Sequence, residues 1–310
     1  MPGSSEIRSE IQAESINPYD IIRKKYLKEY ATYCQRDVIL YASAFSSHKI
    51  SLLQIPSIFT SINDEDLKGF MSSVHDLKNE NLDLILHSPG GFAETTKQIV
   101  NYLREKYSNI RAIIPQKAMS AATMLACGCD EIIMTKHSCL GPIDPQITLY
   151  SDNQAFSISA QAILDEFDTA KREIIENKDL ALLWVNRINK YPSGFYNDCV
   201  NQIELSKDLV RSWLSEYMFK GDSKGEDKAG FITEWLGNAN NHKSHGNPLN
   251  YKDLQIKGLK VKLIEEDQKQ QDILLSIYHA TMELFEAMPT VKIIENHKGF
   301  GKYWNVNPSQ

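Results

Sequence analysis

The stretch Leu82-Asp83-Leu84-Ile85-Leu86-His87-Ser88-Pro89-Gly90-Gly91 decides the fold. Its apolar first half reads as a strand, and Ser-Pro-Gly-Gly ends that strand in a turn. A helical pattern follows from about Thr95 to Tyr107, and Ile110-Arg111-Ala112-Ile113-Ile114 reads as the next strand. Strand, turn, helix and strand in that order make a βαβ unit, which implies parallel strands joined by a right-handed crossover. A second unit follows at once. The turn Pro115-Gln116-Lys117-Ala118-Met119 leads into a helix of small residues from Ser120 to about Cys127, and Glu131-Ile132-Ile133-Met134 reads as another strand. Two consecutive units predict an α/β core.

Upstream, residues 1–15 are polar and acidic and read as a flexible tail, Ile21 to Tyr33 as a charged amphipathic helix, and Val38-Ile39-Leu40-Tyr41 as a strand. The segment Ser61-Ile62-Asn63-Asp64-Glu65-Asp66 offers capping side chains to a helix carrying Leu67, Phe70, Met71, Val74 and Leu77 at helical spacing. Downstream, 159–236 is largely helical in pattern, 238–250 reads as a polar surface loop, Leu259-Lys260-Val261 as a short strand, and 268–287 as a last helix. The expected organisation is a tail over 1–15, one domain over 16–265 with a helical insertion at 159–236, and a C-terminal helix and tail over 266–310.

Composition narrows the function classes. With 42% hydrophobic and 24% charged residues, the 310-residue chain is of ordinary globular type. A net charge of −6 offers no basic stripe to displace counterions, so nucleic acid is not an expected partner. The longest apolar runs, such as Leu180 to Val185, fall far short of the ~18 residues of a membrane span, and Met1 to Ser15 lacks the pattern of a secretory signal. A cytoplasmic protein is expected. Five cysteines form an odd set, and Cys127-Gly128-Cys129 is too closely spaced for a zinc knuckle, so neither a metal nor a cofactor is expected.

Two turns carry the candidate chemistry. Ser88-Pro89-Gly90-Gly91 ends a parallel strand, the usual place for sites in α/β sheets, and its glycines permit backbone conformations that present N–H groups to a bound atom. It is otherwise a tight turn. Ser120 opens a helix after the next strand, where unpaired N–H groups stabilise an alkoxide or a tetrahedral oxyanion. A serine there also serves as a plain helix cap. The two turns together bring Gly90 or Gly91 and the Ala121 N–H around Ser120.

The ordered set His87-Ser88-Pro89-Gly90-Gly91, Ala118-Met119-Ser120-Ala121-Ala122-Thr123-Met124, Asp130-Glu131-Ile132-Ile133-Met134 and Leu140-Gly141-Pro142-Ile143-Asp144-Pro145-Gln146 resembles the serine dehydrogenase proteinase family, which is grouped with Clp protease and signal peptide peptidase A. The likeness spans about Val38 to Val261 and is strongest over 82–147. It implies a crotonase-like (Clp protease-type) ββα spiral core with helical additions, serine peptidase chemistry on a peptide or unfolded protein, and a homo-oligomer. By motif, Ser120 corresponds to the nucleophile, and Gly90 or Gly91 with Ala121 to the oxyanion-hole donors. Many family members resemble membrane-anchored proteins with an apolar N-terminal segment, which this sequence lacks.

A serine hydroxyl needs a neighbouring base. Clp protease uses a Ser-His-Asp triad and signal peptide peptidase A a Ser-Lys dyad, so both are considered. Lys171, 51 residues after Ser120, is the leading candidate, because Leu164, Phe167, Lys171 and Ile174 fall on one helical stripe where desolvation would favour the neutral amine. A snorkelling lysine fits the same spacing, and Lys178 continues the stripe. His137, 17 residues after Ser120, and His245, in Asn241-His242-Lys243-Ser244-His245-Gly246, are the alternative bases. Asp144, held between Pro142 and Pro145, either orients a base or caps a turn.

The leading functional reading is a serine endopeptidase. Two alternatives share the fold: a catalytically inactive peptide- or partner-binding protein, and an acyl-CoA hydratase or isomerase. Crotonases need no nucleophile at the helix start, and the sequence shows no distinctive CoA-phosphate patch, so the last is disfavoured.

Overall fold

In the computed structural model, which describes residues 3–151 and 154–306, the apolar runs become the strands of two layers. The strands are β1 (Asp37–Ser43), β2 (Asn81–His87), β3 (Asn109–Ile114), β4 (Lys117–Ala118), β5 (Glu131–Met134), β6 (Cys139–Leu140), β7 (Gln146–Ser151), β8 (Gln154–Ser159), β9 (Val261–Leu263), β10 (Thr290–Asn296) and β11 (Gly301–Asn305). Seven form the main sheet in the order β11-β10-β1-β2-β3-β5-β9. The five from β1 to β9 are mutually parallel, and β10 and β11 add an antiparallel edge.

Both faces of the parallel part are covered, which is why its strands read as continuous apolar runs rather than alternating ones. Ile39, Tyr41, Leu84, Leu86, Ala112 and Ile132 face a core that includes helices Ala93–Lys106, Ala121–Cys127, Phe195–Trp213 and Gly225–Gly237. Leu40, Ala42, Ile85, Ile113 and Ile133 face the opposite core, built with helices Pro18–Cys34 and Gln268–Ala287.

A second layer consists of very short strands. β4 pairs in parallel with β6 (Lys117 with Cys139, Ala118 with Leu140), Ser88 bridges to Ala118 in parallel, and Leu140 bridges to Leu249 in antiparallel sense. Each turn of chain thus gives one strand to the main sheet and one short strand to the small layer: β2 then Ser88, β3 then β4, β5 then β6. This is the expected ββα spiral with helical additions.

Three segments differ from expectation. Ser4–Ala13, read as part of a flexible tail, is a helix whose Ile7 and Ile11 are buried against Ile22, Ala280, Tyr19 and Tyr26, while Arg8 pairs with Glu283 at 2.7 Å. The residues expected as a C-terminal tail belong to the main sheet: β10 inserts beside β1, and β11 lines its outer side. Lys292 and Glu295 hide β10 from a reading by hydrophobicity, yet both are fully buried, one paired with Asp66 and the other with Arg23. Finally, just ahead of the helical region expected over 159–236, in a stretch where the sequence marks no element, lies the hairpin β7–β8, and Ile147, Leu149 and Ile158 pack it on Ile163 and Phe195.

No helix among the described residues is long and apolar enough to cross a membrane. If the first helix belongs to the folded unit, Ile7→Ala should lower the unfolding free energy by about 2–5 kcal/mol, the usual cost of emptying a fully packed site. Denaturant unfolding followed by circular dichroism measures it, and a flexible tail would register no change.

Candidate active site

The short-strand layer aligns the candidate residues by backbone register. Two residues beyond Ser88 lies Gly90, and two beyond its partner Ala118 lies Ser120. Four residues beyond Leu140 lies Asp144, and four back from its antiparallel partner Leu249 lies His245. Gly141 accordingly lies against Met119, where a Cβ would sit 2.7 Å from Met119 Cε. Thr123 fastens it there, donating to the Ala118 carbonyl at 2.8 Å while its Oγ1 accepts from the Gly141 N–H at 2.9 Å.

Ser120 immediately precedes helix Ala121–Cys127 with φ 52° and ψ −122°, a conformation unfavourable for a residue with a Cβ. Its side chain makes no capping hydrogen bond, so a capping role does not account for the residue. A strained serine on a sharp strand-to-helix turn, its hydroxyl unspent on the helix, has the geometry of a nucleophile elbow.

Gly90 (φ +95°) lies against this elbow. A Cβ there would sit 2.5 Å from the Met119 oxygen and 2.8 Å from both the Ala121 nitrogen and Ser120 Cβ, so only glycine lets the loop approach so closely. Gly91 abuts the backbone of Ile62, whose N–H donates to the Gly90 carbonyl at 2.7 Å and whose carbonyl accepts from Phe92 N–H at 3.0 Å. The Gly90 N–H donates to Ser88 Oγ at 3.2 Å. The N–H groups of Gly91 and Ala121 have no acceptor among the described residues. Ala121 N–H adjoins the nucleophile by sequence, and Gly91 N–H lies next to the glycine that touches it.

Asp144 and His245, 101 residues apart in sequence, meet with Nδ1 and Oδ1 2.9 Å apart. The Asp144 carboxylate is 2% exposed, and its other oxygen accepts from Gln146 Nε2 at 2.8 Å. The contact engages Nδ1 of the imidazole and leaves Nε2 as the ring nitrogen not facing the carboxyl group. This is the orientation that an aspartate gives the histidine of a hydrolytic triad.

A family model described as ClpP-like SDH-type serine proteinase matches residues 18–296. The chain belongs to that family. Two uncharacterized proteins of Methanocaldococcus jannaschii are relatives: MJ0137 is 29% identical over 64% of this chain and 68% of its own length, and MJ1495 is 29% identical over 73% and 68%. Among solved structures, the 1510-N membrane-bound stomatin-specific protease is similar at 14% identity, covering 68% of this chain and 79% of that one with a TM-score of 0.40. A second 1510-N structure, in complex with a substrate peptide, gives 16% identity, 74% of each chain and a TM-score of 0.36.

Within this SDH-type proteinase, the other sequence candidates have different surroundings. The expectation that Lys171 is desolvated is overturned: its side chain is 65% exposed, pairs with Asp168 at 3.2 Å and lies over the Tyr196 ring. Helix Ala160–Glu176 buries Ala160, Ile163 and Ala170, so its inward stripe is rotated by about one residue from the one read in the sequence. His137 is exposed in the turn between β5 and β6. His242 is buried with Nε2 2.7 Å from the Trp235 carbonyl oxygen, a structural role.

His87 was left without a role by the sequence, although it directly precedes the glycine turn. It is fully enclosed between the rings of Phe45 and Tyr278, its Nε2 is 3.3 Å from Ser46 Oγ, and its Nδ1 has no partner among the described residues. Burial holds its pKa down at about 3, so the ring stays neutral.

Two outcomes follow from these contacts. Gly90→Ala should cut Ser120 acylation by about a hundredfold or more, as displacing an oxyanion donor does, with the fold retained by circular dichroism. Because His87 titrates lower in the folded than in the unfolded state, the unfolded chain takes up a proton first as pH falls from about 6.5 toward about 3. Wild-type stability should therefore fall across that window by up to ~1.4 kcal/mol per pH unit from this residue alone, and His87→Phe should remove that slope in urea melts at several pH values.

Proposed function

We propose that the protein is a serine endopeptidase acting through an acyl-enzyme on Ser120. The observation that supports this reading is the small layer, whose short strands lead directly into the glycine turn, the strained Ser120 elbow and the segments that carry the Asp144–His245 pair. His245 Nε2 takes the Ser120 proton as Oγ attacks the peptide carbonyl, and Asp144 holds the ring and stabilises the imidazolium. The N–H groups of Ala121 and Gly91 receive the charge that develops on the carbonyl oxygen. His245 then passes the proton to the leaving amine, and water attacks the acyl-enzyme by the reverse sequence. His245 and Asp144 thus take the place that Lys171 holds in a dyad mechanism.

The substrate class is extended peptide or unfolded protein. The working form is a homo-oligomer, a reading supported by the exposed apolar side chains of Leu182 and Leu183 on helix Ala181–Ile188. All five cysteines are free thiols, which fits a reducing, cytoplasmic setting.

A fluorophosphonate probe tests the reading. Wild type should label and Ser120→Ala should not. His245→Ala and Asp144→Asn should slow labelling by about 10²–10⁴-fold, the usual worth of general-base assistance, whereas Lys171→Ala should label at the wild-type rate. Unlabelled wild type would instead favour a peptide-binding protein that has kept only the fold.

A further inference from the structure

Buried polar groups hold the glycine turn from two sides, and one set centres on an ion pair that the peptidase chemistry does not use. The Gly90 N–H donates to Ser88 Oγ at 3.2 Å. The Tyr41 hydroxyl donates to Asp66 Oδ2 at 2.6 Å. Asp66 Oδ1 accepts from Lys292 Nζ at 2.8 Å, and the same ammonium donates to the Ser61 carbonyl at 2.6 Å. Ser88, Tyr41, Asp66 and Lys292 are all fully buried.

On one side of the glycine turn the Ser88 hydroxyl accepts from the Gly90 N–H; beneath the other side, the Tyr41 hydroxyl and the Lys292 ammonium each donate to one oxygen of the Asp66 carboxylate. By holding Ser61, Lys292 fixes the residue before Ile62, whose N–H and carbonyl clasp Gly90 and Phe92. The glycine turn is thereby tied through Ile62 and Ser61 to the buried pair. A buried ion pair is a weak source of net stability, since apolar residues of the same volume often serve as well, so its use here calls for a positional explanation.

We propose that Lys292, Asp66, Tyr41 and Ser88 are positioning residues that hold the glycine turn from its two sides and so set the orientation of the Gly91 N–H group for the oxyanion. The inference rests on the peptidase reading for its catalytic consequence but not for its structural one, and the experiment separates the two. Tyr41→Phe removes one donor to Asp66 and keeps the ring, Ser88→Ala removes the acceptor of the Gly90 N–H, and Lys292→Met removes the pair.

Hydrogen exchange read on peptides covering 60–66 and 88–93 should rise about tenfold or more in each variant, with the rest of the sheet unchanged. Fluorophosphonate inactivation should show a maximal rate about ten- to a hundredfold lower with a probe-binding constant within about twofold of wild type, because the hole acts on the transition state rather than on the bound ground state. Tyr41→Phe combined with Lys292→Met should be no slower than Lys292→Met alone, as expected of residues that act through one carboxylate and not of independent packing losses. Folded Tyr41→Phe with unchanged exchange at 88–93 and an unchanged inactivation rate overturns the proposal, even if Lys292→Met fails to fold. If wild type does not label at all, the peptidase reading fails, and the exchange measurement alone decides whether these residues position the loop.

Discussion

The candidate site depends on a few backbone hydrogen bonds between strands too short to stand alone. Ser88, Ala118, Leu140 and Leu249 lie side by side in a layer that each turn of the spiral extends by one segment. Two-residue strands supply little stability of their own. They hold because each follows directly from a strand of the main sheet, whose both faces are buried, so the large sheet sets the spacing and the small layer inherits it. The Asp144–His245 contact then forms between segments that lead away from strands already side by side.

That arrangement also accommodates strain. Ser120 at positive φ costs on the order of 1–3 kcal/mol, and such a conformation persists only where the surroundings over-determine it. Here Ala118 is pinned on both sides by short-strand pairing, and the helix that follows Ser120 is buried along its whole length. The small residues of that helix serve this end, since Ala121 and Ala122 let the glycine turn and the sheet approach the elbow. The same economy of space explains why Gly90 cannot carry a side chain.

Charge is buried where the chain closes on itself. Lys292 and Glu295 on β10 meet Asp66 and Arg23 from helices near the N-terminal half, while Asp83 on β2 accepts from Arg36, Arg111 and Tyr30. Each carboxylate has several donors, so the desolvation cost is offset by hydrogen bonds as well as by the opposite charge. These contacts place the C-terminal strands in the sheet and leave one of them beneath the glycine turn.

The sequence by itself determined the parallel strands, their order along the chain, the glycine turn and Ser120, because continuous apolar runs and Gly-Gly or small-residue turns are local signals that survive any tertiary context. The last helix was legible to the residue, at 268–287, for the same reason. The tertiary structure alone decided three things. It rotated the buried stripe of helix Ala160–Glu176 so that Lys171 faces water, a shift of one residue that helical periodicity cannot resolve where Leu164 and Phe167 are only half-buried. It recruited β10 despite its charges, which only partners far away in sequence make compatible with burial. And it joined His245 to Asp144 across 101 residues, because an antiparallel register is a relation between two strands and neither one's sequence contains it.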